Sequence, residues 1–177
     1  MTRKIFLWEF VGLIGAIILW TFLHTCYQTT GITQFCLFSA VNGSIWEHVK
    51  IAFFSLLALY IVEAFFIAKY CKNFWYGKMM GLILVIIITL GGIYLLSNVI
   101  GLSIEISDII AGSIAFLVSQ IISYRILISE VNHSIYERVY LSIVIILIIP
   151  FFVFTFYPVE NTIFKDLTTN AYGIFEK

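Results

Sequence analysis

His24, Glu47, His48, Glu105, Asp108 and Asp166 are the residues of this sequence best suited to chemistry. Imidazoles and carboxylates together can hold zinc or another transition ion, and such an ion can polarise a substrate or activate water. His24, Glu47 and His48 are the metal-ligand candidates. No H-x-x-x-H or H-E-x-x-H spacing is present, so no single helix can supply the site. Glu47 and His48 are neighbours, about 100° apart on a helix, which makes joint chelation from that segment awkward. Any metal site must be assembled from several segments.

A second feature is a repeated polar phrase. "VNGSIWEHV" starts at Val41 and "VNHSIYERV" at Val131, and six of the nine positions are identical. Each phrase contains S-x-x-E, Ser44 to Glu47 and Ser134 to Glu137, which is the pattern of a capping box. Asn42 and Asn132 precede the serines, where an amide can hold the incoming loop. The bland reading is two well-made helix starts, because an unsatisfied amide costs several kcal/mol in lipid. The sharper reading is that these starts line a polar path.

The elements that position these groups follow from composition. The chain has 177 residues, is 62% hydrophobic and only 11% charged, against about 25% charged in a soluble domain. Stretches of about 18 or more apolar residues recur, enough to cross the ~30 Å hydrocarbon core. Five spans are expected, near 5–23, 51–68, 79–100, 104–128 and 139–157. In lipid the backbone must satisfy itself, so each span is a helix. The fold expected is an all-α polytopic membrane bundle in one integral domain over 1–177. Gly91-Gly92 favours close packing of the third span. Net charge is zero, there is no phosphate-binding loop, and nothing points to nucleic acid. The bilayer is the implied partner, and no cofactor is assigned.

Lys and Arg set the expected orientation. An inside N-terminus places Arg3, Lys4, Lys69, Lys72, Lys78, Arg125 and Arg138 on the cytoplasmic side, and Lys50, Lys165 and Lys177 outside. The reading is a multi-pass protein of the cell membrane with its C-terminus out. The two phrases then enter from opposite faces, as in an inverted repeat with halves near 1–72 and 101–160, spans 1–2 and 4–5. The outer candidate site is His24, Asn42, Ser44, Glu47, His48 and Asp166. The inner one is Glu9, Glu63, Arg125, Asn132, Ser134 and Glu137, with Glu9, Glu63 and Arg125 at one depth as an ion-paired cluster. Cys26 and Cys36 can pair if the outer compartment is oxidising.

"SAVNGSIWEHVKIAFF", with Leu23-His24 before it, resembles a bacterial family of small integral membrane proteins of unknown function, whose members read N-E-S-x-W-E-H-x-K after the first span. The tail resembles the family's F-x-D then T-x-x-Y-G ending. The resemblance marks His24, Asn42, Ser44, Trp46, Glu47, His48, Asp166, Tyr172 and Gly173. Gly43 departs from the usual Glu. The family brings no activity. It does imply that the tail, 158–177, lies on the outer face, where Asp166 approaches His24 and Glu47.

Three functions remain in view. The first is a transporter or channel for a small solute or ion, built on the inverted repeat and, because five spans are few for a path, working as a homodimer. The second is an intramembrane enzyme, metal-dependent or not, acting on a lipid or envelope substrate. The third is an accessory subunit of a membrane complex. Single cysteines at Gly43→Cys and His133→Cys, with the native cysteines replaced, test the topology. An impermeant maleimide should label the first on intact cells and the second only after lysis. Labelling of both from one side contradicts it.

Overall fold

The computed structural model describes residues 2–133, 137–166 and 169–174, with residues 137 and 138 described by backbone alone. Five helices are long and apolar enough to cross a membrane: α1 Thr2–Thr30, α2 Ile45–Ile67, α3 Phe74–Tyr94, α4 Ile104–Leu127 and α5 Glu137–Phe156. The described residues contain no strand, only an isolated bridge between Lys165 and Tyr172. The all-helical membrane expectation holds. α1 runs past its expected window at both ends and α2 and α3 begin earlier than theirs, at Ile45 and Phe74, whereas α3 ends at Tyr94, short of the expected 100. Ser44 caps α2, accepting from the Glu47 amide at 3.4 Å, and Ser103 caps α4 through the Ile106 amide at 3.4 Å.

α3 packs most closely on α4, and α2 fits between α1 and α3. A Cβ on Gly92 would lie 2.7 Å from the Ala111 Cβ, so the glycine lets the two backbones approach. α5 packs on α3 and, through aromatic rings, on α2. Phe53 and Phe151 centroids are 4.8 Å apart, and Trp46 sits 5.0 Å from Phe151. Pro150 lies inside α5, which runs continuously through it. Among the described residues α1 packs well on α2, whereas α4 and α5 touch little if at all, so the two sequence halves differ in packing there. Ser134 and the side chain of Glu137 lie outside the described residues.

At the end of the bundle where α1 begins, two buried carboxylates converge on one buried lysine. Lys78 Nζ donates to Glu9 Oε1 at 2.7 Å and also to Glu63 Oε2. Ser123 donates to Glu9 Oε1 at 2.9 Å, and the Tyr60 ring lies 4.2 Å under the ammonium. Gly12 makes room, since a Cβ there would fall 1.9 Å from Glu63 Oε1. The expected pairing of Glu9 and Glu63 with Arg125 is corrected: Arg125 is exposed, and Lys78, read as a flanking charge, takes its place. Depth along a helix does not determine which way a side chain faces. Asn132 is likewise exposed. Asn73 instead holds that loop, donating to the Val131 carbonyl at 2.6 Å and accepting from the His133 amide at 2.8 Å.

Cys26, Cys36 and Cys71 are free thiols, all buried. The proposed Cys26–Cys36 pairing is therefore not made. Burial pushes the Cys36 and Cys71 thiols above their ordinary pKa, with Lys50 and Lys78 respectively opposing the shift. Both are poor nucleophiles at neutral pH.

Removing Lys78 leaves two carboxylates unpaired in the membrane interior. Lys78→Met should cost about 3–5 kcal/mol in detergent unfolding, and adding Glu9→Gln and Glu63→Gln should restore most of it. An additive loss in the triple variant contradicts the triad.

Candidate functional site

The opposite end of the bundle gathers the chemistry. The segment after α1 turns back through Thr33–Leu37 and reaches the Ser44 cap. It is fastened to α1 beside His24. The Ser39 hydroxyl donates to the Leu23 carbonyl and accepts from the Tyr27 amide at 2.9 Å. It thereby bridges an i, i+4 pair of α1 around His24. The Ala40 amide donates to the same Leu23 carbonyl at 3.2 Å.

Glu47 and His48, adjacent in α2, turn to different partners. Glu47 Oε2 accepts from Lys50 Nζ at 2.6 Å and from the Val41 amide at 2.9 Å. Lys50 is fully buried and also donates to the Cys36 carbonyl at 2.8 Å and to Thr155 Oγ1 at 3.0 Å. This pair clamps the loop and α5 onto α2. The expected capping box is half made: Glu47 reaches Val41 rather than Ser44, and the Ser44 amide donates to Asn42 Oδ1 at 2.9 Å. Glu47 therefore has a structural place and does not join the two histidines. Lys50, read as an outer-face charge, is its buried partner.

His48 faces the other way. Its Nδ1 lies 2.7 Å from Asp108 Oδ2 on α4, and its ring centroid is 5.1 Å from that of His24. One ligand atom from each of His24, His48 and Asp108 falls within 4.8 Å of the others. Asp108 Oδ1 is buried and has no hydrogen-bond partner, and among the described residues no lysine or arginine pairs with Asp108. Glu9 Oε2 and Glu63 Oε1 are also unpartnered, but each of those carboxylates already holds Lys78. Asp108 has only His48. Donors from three helices, one with an unused buried oxygen, form a site suited to a transition ion.

The tail covers this end. The Trp46 amide donates to the Ile163 carbonyl at 3.0 Å. Asp166 Oδ2 accepts from the Gly43 amide at 3.2 Å, and Asp166 Oδ1 accepts from the Thr169 amide at 3.3 Å. Asn42 Nδ2 donates to the Gly173 carbonyl at 2.9 Å. Gly173 has φ +68°, the left-handed region that glycine enters without strain. Asn42, Gly43, His24, His48, Glu105 and Asp166 line a cleft of about 660 Å³.

A family model matches residues 2–174. The chain belongs to the family of unknown function DUF6512. No curated protein and no solved structure matches it. The match runs from α1 into the tail, so for this DUF6512 chain the docked tail is part of the family's extent.

Of the outer residues expected from the sequence, His24, Asn42, His48 and Asp166 line the cleft. Ser44 and Glu47 hold the frame. Asp108 is among the chemistry-bearing residues of the sequence, but its pairing with His48 is not visible in local spacing, since it lies on α4, 60 positions away.

Asn42 carries both the loop and the tail. Asn42→Ala leaves the Gly173 carbonyl without its donor and should speed tryptic cleavage after Lys165 in folded protein, with a stability loss of about 1–3 kcal/mol. Unchanged cleavage contradicts this role.

Proposed function

We propose that this protein is a membrane-embedded metalloenzyme in which His24, His48 and Asp108 bind one divalent transition ion and an amphiphilic substrate is hydrolysed beside it. The observation that carries the reading is the convergence of three ligand atoms within 4.8 Å, with a buried, unpartnered Asp108 oxygen, against a cleft of about 660 Å³. Two imidazoles and one carboxylate form a catalytic zinc set, leaving a position for water or substrate. When bound, the ion supplies Lewis acidity and brings water nearer to hydroxide at neutral pH. Glu105 lines the cleft with His24 and is the carboxylate placed to take the water proton. The water oxygen bonds to the acyl carbon and the bond to the leaving oxygen or nitrogen breaks. The abstracted proton passes to that leaving group.

The site lies on the outer face in this reading. With the buried Lys50 and Lys78 set aside, the remaining Lys and Arg still favour an inside N-terminus. Transport has less behind it. Of the inner candidates, Glu9 and Glu63 are held in the Lys78 triad, and among the described residues the two sequence halves pack differently.

Metal analysis tests the proposal. Protein purified in mild detergent and dialysed against trace zinc should carry about one ion per chain. His24→Ala, His48→Ala and Asp108→Asn should each lose it while remaining monodisperse and helical, and the exposed Arg125→Ala should keep it. Wild-type protein holding no more metal than Asp108→Asn overturns the proposal.

A further inference from the structure

We infer that the Lys78 cluster binds one further monovalent cation, a proton, held on Glu63. The cluster is separate from the two histidines and Asp108, and the inference does not rest on the metalloenzyme reading.

The charges of the cluster do not balance without it. Glu9 and Glu63 both reach Lys78 Nζ, so two ionised carboxylates around one ammonium leave one negative charge over. Glu9, Glu63 and Lys78 are 4%, 1% and 1% exposed. Among the described residues no second lysine, arginine or histidine pairs with either carboxylate. Lys50 gives the contrast, because it meets one carboxylate, Glu47, and that pair is neutral. A surplus charge buried in the apolar layer is costly, and a carboxylate escapes the cost by taking up a proton.

Hydrogen bonds choose the carboxyl. Glu9 Oε1 accepts from Lys78 at 2.7 Å and from Ser123 at 2.9 Å. Glu63 Oε2 accepts from Lys78, and no hydrogen bond ends on Glu63 Oε1. Glu9 Oε2 is also without a partner, but the two donors on its other oxygen make Glu9 the better anion. The Gln120 side chain stands beside Glu63 Oε1. A Cβ on Gly12 would fall 1.9 Å from that oxygen and 2.6 Å from Gln120 Nε2. Gln120 Nε2 is spent on the Glu9 carbonyl at 3.0 Å, whereas Gln120 Oε1 is buried with no partner. Two neighbouring side chains thus each present an acceptor that lacks a hydrogen. A proton on Glu63 Oε1 supplies it, with Gln120 Oε1 as the acceptor.

The groups around Glu63 come from four helices. α1 brings Glu9, α3 brings Lys78, and α4 brings Gln120 and Ser123. α2 itself brings Tyr60, whose ring lies 4.2 Å from the ammonium. Cys71, in the link before α3, is a further titratable group near Lys78 and Glu9. None of these except Lys78 carries positive charge. Loss of the proton returns the surplus charge to the junction of α1, α2 and α3, so proton occupancy is coupled to the packing of those helices.

Infrared difference spectroscopy on the full chain in detergent, near neutral pH, tests this. The C=O stretch of a protonated carboxyl stands clear of the amide bands. Wild type minus Glu63→Gln should show one such band per chain, shifted in heavy water as an exchangeable proton requires. Glu9→Gln is the decisive variant. It leaves Glu63 and Lys78 as a balanced pair, so the band should vanish although Glu63 is intact. Both variants keep Lys78 paired and should stay folded, and the exposed Arg125→Ala should keep the band. A band that survives in Glu9→Gln means that charge balance does not hold the proton, and overturns the inference. No band in wild type overturns it too. In that case thermal unfolding raised by sodium and not by choline assigns the missing charge to a metal cation, and no effect of sodium leaves both carboxylates ionised.

Discussion

A charge in the apolar layer must find its partner inside the protein. That constraint orders this molecule more than any propensity does. Lys78 is held by Glu9 and Glu63 at one end, and Lys50 by Glu47 at the other. Each pairing fixes helices that no polar loop could fix. Lys78 joins α3 to α1 and α2. Lys50 joins α2 to the preceding loop and, through Thr155, to α5. Because a buried pair gains little over a well-packed apolar contact, its main effect is to set register and rotation.

Asp108 stands apart under the same constraint. It is 2% exposed, pairs among the described residues with histidine rather than with lysine or arginine, and leaves one oxygen unused. His24 stands beside the same histidine, held by a loop that inserts Ser39 into the α1 hydrogen-bond ladder. Among the described residues the carboxylates of Glu9, Glu63 and Glu47 hold lysines, whereas Asp108 stands with two imidazoles. In the proposed reading a divalent ion would complete that set of donors, and the same cluster touches two clefts.

Much of the fold was legible because the bilayer imposes length and apolarity on every spanning helix. Five spans followed, as did the Ser44 cap, whose S-x-x-E pattern is local. The tail motif also had local content, since Asp166 and Gly173 act through a tight turn and a left-handed residue. The partners across helices were not legible. Glu9 and Glu63 were placed correctly in depth, but rotation turned them to Lys78 rather than Arg125. Glu47 and His48 are adjacent, and their roughly 100° separation sends one to Lys50 and the other to Asp108. Only helix order and facing decide such pairings, and neither is written in spacing. The repeated phrase was visible, but similarity of two helix starts carries no packing.

The proposed function requires an ion at His24, His48 and Asp108. X-ray absorption spectroscopy of zinc-loaded protein reads those ligands directly. The prediction is a first shell of nitrogen and oxygen without sulfur, with outer-shell scattering from two imidazoles. A sulfur shell from a cysteine, or scattering from fewer than two imidazoles, contradicts the site.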